Sequence, residues 1–487
     1  MGKIKLLLRK INNSSDLKEL SINSFWSLLA SVISKGLIFV AWLMVAKILG
    51  KEGNGQVGVI RSTINLFMIF AGSGIALTTT KYIPELITKD KDKVSRIITW
   101  SAVFSCFIGL ILSFLLFFGA PYISKNILNS AELADTLKIS SFLLFLSVVD
   151  SLISGCLKGF KDFKGLLLIG FLYGICLFAS LYIGTIRYGV EGTFAGFTFS
   201  TFILVLLGGT FLKRNMIKYG LKFAFKLEDE VKILKKFTLP AILTGVMVIP
   251  FKWGVDTIMV NQPSGYKELG LYAAIILFQN MILMITATLD APLITIMVKE
   301  KKDKRIEKLN LIIPWAIGTC MVLPILFFPS IFNVFLGEEY TGDDNYRKTL
   351  FLIMLTTTII LYKQGIARIM IVNSLMWFSF FSNLVWGTLL VLFFYFVKNK
   401  NAETLAYSYF IAYVINTILI IPIYIKKKII PLTLITSRWA ILIWIIFSGT
   451  FIVFYNYSFE NVIFRIFALV ILFITFVGLF YNLLLKD

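Results

Sequence analysis

The chain has 487 residues, of which 58% are hydrophobic and only 15% are charged, and its mean hydropathy is +0.84. A soluble domain carries about 25% charged residues, so this composition excludes an ordinary soluble protein and indicates a membrane protein. The net charge is +21 and there is no histidine, which excludes histidine-based acid–base catalysis and most zinc sites.

Apolar runs recur along nearly the whole chain. About 20 apolar residues are enough for an α-helix to cross a bilayer, so we predict an all-α polytopic membrane protein with about fourteen transmembrane helices. In chain order their expected bounds are 22–48, 57–80, 97–118, 137–157, 166–185, 190–212, 238–260, 269–297, 310–332, 349–371, 375–397, 405–425, 437–455 and 463–484.

Lysine and arginine are distributed unevenly between the two sides that this topology defines. Of the 48, 34 fall on one side, 11 fall on the other and three lie inside predicted spans. Because positive loops stay in the cytoplasm, we predict that both termini are cytoplasmic, and we attribute the charge to orientation and not to nucleic-acid binding. The lysine-rich segments are 1–20, 81–96, 158–164, 213–236, 298–309, 363–368, 426–438 and the C-terminus.

The first twelve predicted helices show signs of an internal repeat. An offset of 212 residues places Gly58 on Gly270 and Lys89 on Lys301. Two six-helix bundles around a central cleft are typical of alternating-access transporters. The expected units are an N-terminal bundle (1–212), a basic linker (213–236), a C-terminal bundle (237–428) and two further helices (429–487).

Six ionisable side chains fall inside predicted spans, where each costs at least about 2.5–3.5 kcal/mol to insert and therefore usually faces a cavity or a partner. They are Lys35, Arg61, Asp150, Lys252, Asp256 and Asp290. Lys35 and Arg61 have no carboxylate within helical reach, which indicates a water-filled cavity or a visiting anion. The alternative is that they pair with Asp150 or with another helix.

The remaining buried charges also have two interpretations. Lys252 and Asp256 are spaced i, i+4, so they either neutralise each other or belong to a site in a helix that Pro250 interrupts. Asp290 either caps the break before Pro292 or binds a coupling cation. Asp150 is a further candidate for ion coupling or for a structural role, for example by pairing with Lys158.

The four cysteines lie one by one in apolar spans, without the spacing of metal ligands or disulfides. The glycines near 50–58 lack the Lys-Ser/Thr ending of a phosphate-binding loop. We therefore predict no metal site and no cofactor.

Several motifs match one family. In the first half these are Lys35-Gly36, AKILG from Ala46 to Gly50, and GSGIALTTTKYIPE from Gly72 to Glu85. GCLKGFKDFKG begins at Gly155, and the second half restarts with Asp256-Thr257-Ile258-Met259 and GLYAA at Gly270. Over residues 20–425 the chain resembles the polysaccharide or O-antigen flippases of the multidrug/oligosaccharidyl-lipid/polysaccharide exporter (MOP) superfamily.

The sequence also departs from that family. Thr257 stands where an arginine is common, and AETLAYS (402–408) replaces a Gly-Ala-Ala stretch. Fourteen spans exceed the usual twelve, a count that resembles the lipid II flippases. These departures affect the expected substrate more than the expected class.

The resemblance implies a non-enzymatic flippase that moves a polyprenyl-(pyro)phosphate-linked oligosaccharide from the cytoplasmic to the outer leaflet for cell-surface polysaccharide biosynthesis. It implies that Lys35, Arg61 and Lys252 contact the anionic headgroup, while Asp256 orients Lys252. The expected partners are that substrate, membrane lipids and glycan-assembly enzymes, with no nucleic acid. The protein is expected to be a monomer in the plasma membrane.

Two alternatives remain open from the sequence. One is an ion-coupled multidrug exporter of the same superfamily, for which acidic cavity residues would be expected. The other is a membrane glycan polymerase or ligase, which would normally use a large outer loop that this chain lacks.

Overall fold

The computed structural model describes residues 15–71, 73–226, 247–289, 293, 297, 304–372, 375–427, 437–456 and 461–486, and every regular element within them is helical. The long helices are α1 (Ser15–Ala71), α2 (Ser73–Leu86), α3 (Lys91–Tyr122), α4 (Leu133–Gly159), α5 (Phe163–Tyr219), α6 (Ile249–Val260), α7 (Gly265–Ala287), α8 (Lys304–Phe327), α9 (Asp344–Val372), α10 (Met376–Phe396), α11 (Ala402–Lys426), α12 (Arg438–Asn456) and α13 (Val462–Lys486). Within the described residues nine helices are long and apolar enough to cross a membrane. The predicted all-α polytopic fold is confirmed.

Two of these helices are folded hairpins, which explains their length of 57 residues each. In α5 the chain turns at Tyr188 and Gly189, and the two arms meet where Thr185 and Thr193 bring their hydroxyl oxygens within 2.9 Å. In α1 the turn is at Gly50, whose φ of +66° suits a residue without a Cβ. The hairpins correspond to predicted spans 1 and 2 and predicted spans 5 and 6.

The two halves of the protein meet at the end that carries the lysine-poor loops near 123–132, 261–264 and 333–343, called the lysine-poor end below. Here α1 and α7 approach backbone to backbone, because Gly55 lies against Tyr266 and Gly270 lies against Lys51. The Asn54 side-chain amide donates to the carbonyl oxygen of Gly270 at 2.8 Å. This end is therefore closed.

A short segment of the second half strengthens the closure. It contains two four-residue helices, Asn333–Leu336 and Glu338–Thr341. The buried Tyr340 hydroxyl lies 2.9 Å from the carbonyl oxygen of Ala46 and 2.7 Å from that of Gly50, beside the turn of α1. Lys51 adds an ion pair to Asp343, and its backbone amide donates to the Glu339 carboxylate at 2.9 Å.

At the opposite, lysine-rich end (the loops near 81–96, 158–164 and 213–226), two apolar clusters are built around Cys156 and Leu157. Among the residues that the structure describes, both clusters contain only residues of the first half. The contacts at the lysine-poor end therefore close the cleft between the halves at that end.

One predicted loop is wrong. Lys363 and Arg368 were expected in a cytoplasmic segment at 363–368, but both lie inside α9. Arg368 is only 2% exposed, and its guanidinium donates to the side-chain oxygen of Asn310 at 2.6 Å and to its backbone oxygen at 3.0 Å. A polar partner on α8 thus keeps this cation inside the bundle, and the helix continues beyond it.

The last two helices pack onto the second half. Trp315 of α8 stacks on Trp444 of α12, with ring centroids 5.2 Å apart, and it meets Phe480 of α13 edge to face at 5.0 Å. These contacts hold α12 and α13 away from the cleft.

Candidate functional site

A cavity of about 180 Å³ lies between the halves and is bordered by α1, α6, α7, α10 and α11. We call it the central cavity. Its polar lining residues are Arg61, Ser62, Asn65, Lys252, Asp256 and Asn280. Three of the six predicted site residues therefore meet in one place, although they come from both halves of the chain.

The hairpin in α1 positions Arg61. Because the chain reverses at Gly50, Trp42 on the first arm faces Arg61 on the second, and the guanidinium carbon lies 4.0 Å from the centre of the indole ring. Trp42 is itself held edge to face by Phe197 at 5.3 Å. An indole face attracts a cation without neutralising it, so Arg61 keeps its full charge for a ligand.

The helix α6 positions Lys252 and Asp256. Its Trp253 indole N–H donates to the Thr63 hydroxyl at 3.0 Å, which fixes α6 against α1. The Lys252 ammonium lies 5.5 Å from the centre of the Tyr409 ring. Among the ion pairs of the described residues none joins Lys252 directly to Asp256.

The central cavity therefore has two cations and one carboxylate among its described lining residues. A net positive, partly desolvated cavity attracts anions, and guanidinium and ammonium donors suit phosphate oxygens. The chemistry that this arrangement supports is binding of an anionic group.

The other predicted site residues lie apart from the central cavity. Lys35 is half-buried on α1, two turns before Trp42 and on the same helix face, but it does not line the cavity. Asp150 is on α4 and is not among the lining residues of the cavity. Asp290 falls outside the described residues. Within the described parts of the chain no group of three or more cysteine or acidic residues could hold a metal ion.

A larger cavity of about 580 Å³, called the second cavity, lies within the C-terminal half between α7, α9, α10 and α11. Lys363 projects into it and donates to the side-chain oxygen of Asn416, while its ammonium lies 5.6 Å from the centre of the Tyr413 ring. The sequence analysis missed Lys363 because it was counted with a loop. The sequence did contain a signal for this position: Lys363 lies eight residues before the end of the predicted span 349–371, and so inside that span.

The fold and the cavity together define a class. Two helical halves surround a polar cavity and close it off at one end, which is the architecture of an alternating-access transporter. The chain belongs to the polysaccharide biosynthesis protein family, which matches residues 20–291. It is also 21% identical over 301 residues to the lipid III flippase of Escherichia coli, a match that covers 60% of this chain and 71% of that protein.

Solved structures show the same fold. The lipid II flippase MurJ in an inward closed conformation has a TM-score of 0.69 and 14% identity, covering 95% of this chain and 98% of MurJ. An inward-facing multidrug transporter of the MATE family matches with a TM-score of 0.63 and 14% identity. The match covers 81% of this chain and 96% of the transporter chain. The predicted family is confirmed by the match over residues 20–291, and the predicted transporter fold is confirmed by these structures.

Proposed function

We propose that this protein is a flippase that moves a polyprenyl-(pyro)phosphate-linked oligosaccharide from the cytoplasmic to the outer leaflet of the plasma membrane. In this proposal it acts as a carrier and not as an enzyme, and both termini are cytoplasmic. The family and the lipid III flippase relative support a glycan-lipid substrate.

The proposal depends on one observation: Arg61 and Lys252 both line the central cavity. Asp256 is the one carboxylate among the described residues that line it. A volume of about 180 Å³ is below the 300–1,000 Å³ typical of drug-sized pockets, but it suits a small anionic group. The phosphate or pyrophosphate of the lipid headgroup has the required charge and size. Lys35, on the same face of α1 as Trp42, is placed to meet the headgroup on its way in.

The proposed direction follows from the closed end. If the lysine-rich end faces the cytoplasm, the contacts of Tyr340 and Gly55 seal the outer side of the cleft in this conformation. Moving a negative headgroup outward across an inside-negative membrane is favoured by about 2.3 kcal/mol per charge per 100 mV. The lipid chain stays in the bilayer beside the cleft.

The same fold also exports drugs, so an organic cation is the competing substrate. The charge of the central cavity argues against it, because Arg61 and Lys252 would repel a cationic drug and Asp256 alone would attract it. Binding of a prenyl pyrophosphate, and not of an organic cation such as tetraphenylphosphonium, separates the two functions.

The test is lipid translocation in proteoliposomes, with a fluorescent prenyl pyrophosphate whose inner-leaflet pool is followed by quenching. We expect Arg61→Ala or Lys35→Ala to abolish translocation without loss of expression, and Arg61→Lys or Lys35→Arg to retain part of it. Lys138→Ala is the matched control, because this lysine pairs with Asp135 at the lysine-poor end. Normal translocation by both alanine variants would reject the proposal.

A further inference from the structure

We propose that the second cavity is the binding site for sugar rings of the substrate, a deepening that rests on the proposed flippase function. The central cavity is large enough for a phosphate group but not for an oligosaccharide. At about 580 Å³ the second cavity falls within the range of pockets that enclose small organic ligands.

The lining has the chemistry that sugars require. Amide side chains of Gln364 and Asn383 carry both donors and acceptors for hydroxyl groups. Lys363 adds an ammonium donor, and no carboxylate occurs among the described residues that line this cavity.

Two polar atoms in this lining have no hydrogen-bond partner within the described structure. They are the indole N–H of Trp386, a residue only 3% exposed, and the side-chain oxygen of Gln364. A buried donor or acceptor without a partner costs about 1–3 kcal/mol. One unpartnered donor and one unpartnered acceptor on two residues that line the same cavity fit a ligand with hydroxyl groups, since each hydroxyl both donates and accepts.

The two cavities are neighbours, as a phosphate linked to a sugar requires. Asn280 lines both of them. Tyr409 borders the central cavity, Trp386 and Tyr413 border the second cavity, and these three rings pack together with centroids 5.2–5.7 Å apart. Lys252 lies over Tyr409 and Lys363 lies over Tyr413, so one aromatic cluster separates the two cations.

The test compares the affinity of the purified full-length protein for farnesyl pyrophosphate and for farnesyl pyrophosphate bearing one sugar: glucose, N-acetylglucosamine or galacturonic acid. We expect at least one sugar to increase affinity about tenfold, which corresponds to about 1.4 kcal/mol. Gln364→Met keeps the side-chain length and Trp386→Phe keeps an aromatic ring, and each removes one unpartnered atom. We expect both variants to lose this gain and to retain the affinity for farnesyl pyrophosphate itself.

The other outcomes overturn the inference in distinguishable ways. If farnesyl pyrophosphate binds but no sugar adds affinity, or if both variants keep the full gain, the second cavity does not bind sugar and the flippase proposal is unaffected. If no probe binds to the wild-type protein, the flippase proposal fails and the sugar site fails with it. Gln262→Met, which alters an amide that lines neither cavity, controls for the substitution itself.

Discussion

Replacing Gly55 by alanine should force the lysine-poor end to open. A Cβ at this position would overlap the carbonyl oxygen of Tyr266 and would lie 2.7 Å from its carbonyl carbon. Ordinary contact begins at 3.4 Å, so α1 and α7 would have to separate by at least about 0.7 Å at this point. The separation would also weaken the hydrogen bond from Asn54 to Gly270.

Overpacking of this kind costs about 1–3 kcal/mol. Because the clash exists only when the two helices are together, that energy shifts the equilibrium towards the conformation that is open at the lysine-poor end, by about 5- to 150-fold. Gly58→Ala is the matched control: it lies one turn further along α1, and its Cβ would meet Ala273 at an ordinary 3.4 Å. Both changes gain the same helix propensity, so the difference between them reports the contact alone.

The assay is a distance measurement between spin labels at Glu191 in the first half and Lys398 in the second, both exposed near the lysine-poor end. The four native cysteines are replaced first. We expect the ratio of long to short distances to rise by about 5- to 150-fold for Gly55→Ala and to stay at the wild-type value for Gly58→Ala. A wild-type ratio for Gly55→Ala would refute the argument that this glycine contact closes the end.

Two further substitutions test other parts of the structure. Tyr340→Phe removes the hydroxyl that lies next to the carbonyl oxygens of Ala46 and Gly50. The same spin labels should therefore show a shift towards the open state equivalent to about 1–3 kcal/mol. Unchanged distances would show that this contact does not hold the end closed. Arg368→Met leaves the buried side-chain oxygen of Asn310 without its donor. We expect a lower melting temperature in detergent and unchanged pyrophosphate binding. An unaltered melting temperature would contradict the assigned contact.

The sequence predicted the helical membrane fold because apolar runs of spanning length require only local information. It also identified the charges inside the spans. It could not show which of them share a cavity, because that depends on how each helix is rotated and packed. Arg61 faces Lys252 across the cleft, whereas Asp150, equally isolated in the sequence, lies elsewhere.

Lys363 shows a different failure. The positive-inside rule assigns a lysine near the end of an apolar run to a loop, and the sequence gives no sign that Asn416, 53 residues later, would accept its hydrogen bond. The sequence also could not predict the close approach of Gly55 and Gly270, because it depends on contacts between residues far apart in the chain. An offset of 212 residues suggested related halves, but only packing brings the two glycines together at the interface.

The central claim is that Arg61 and Lys252 bind an anionic headgroup, and calorimetric titration of the purified protein with farnesyl pyrophosphate tests it most directly. A charged hydrogen bond contributes about 1.5–3 kcal/mol, so Arg61→Ala and Lys252→Ala should each weaken binding by about 10- to 150-fold. Asp256→Asn removes the carboxylate and should tighten binding. Affinities within about twofold of the wild type in all three variants would contradict the account.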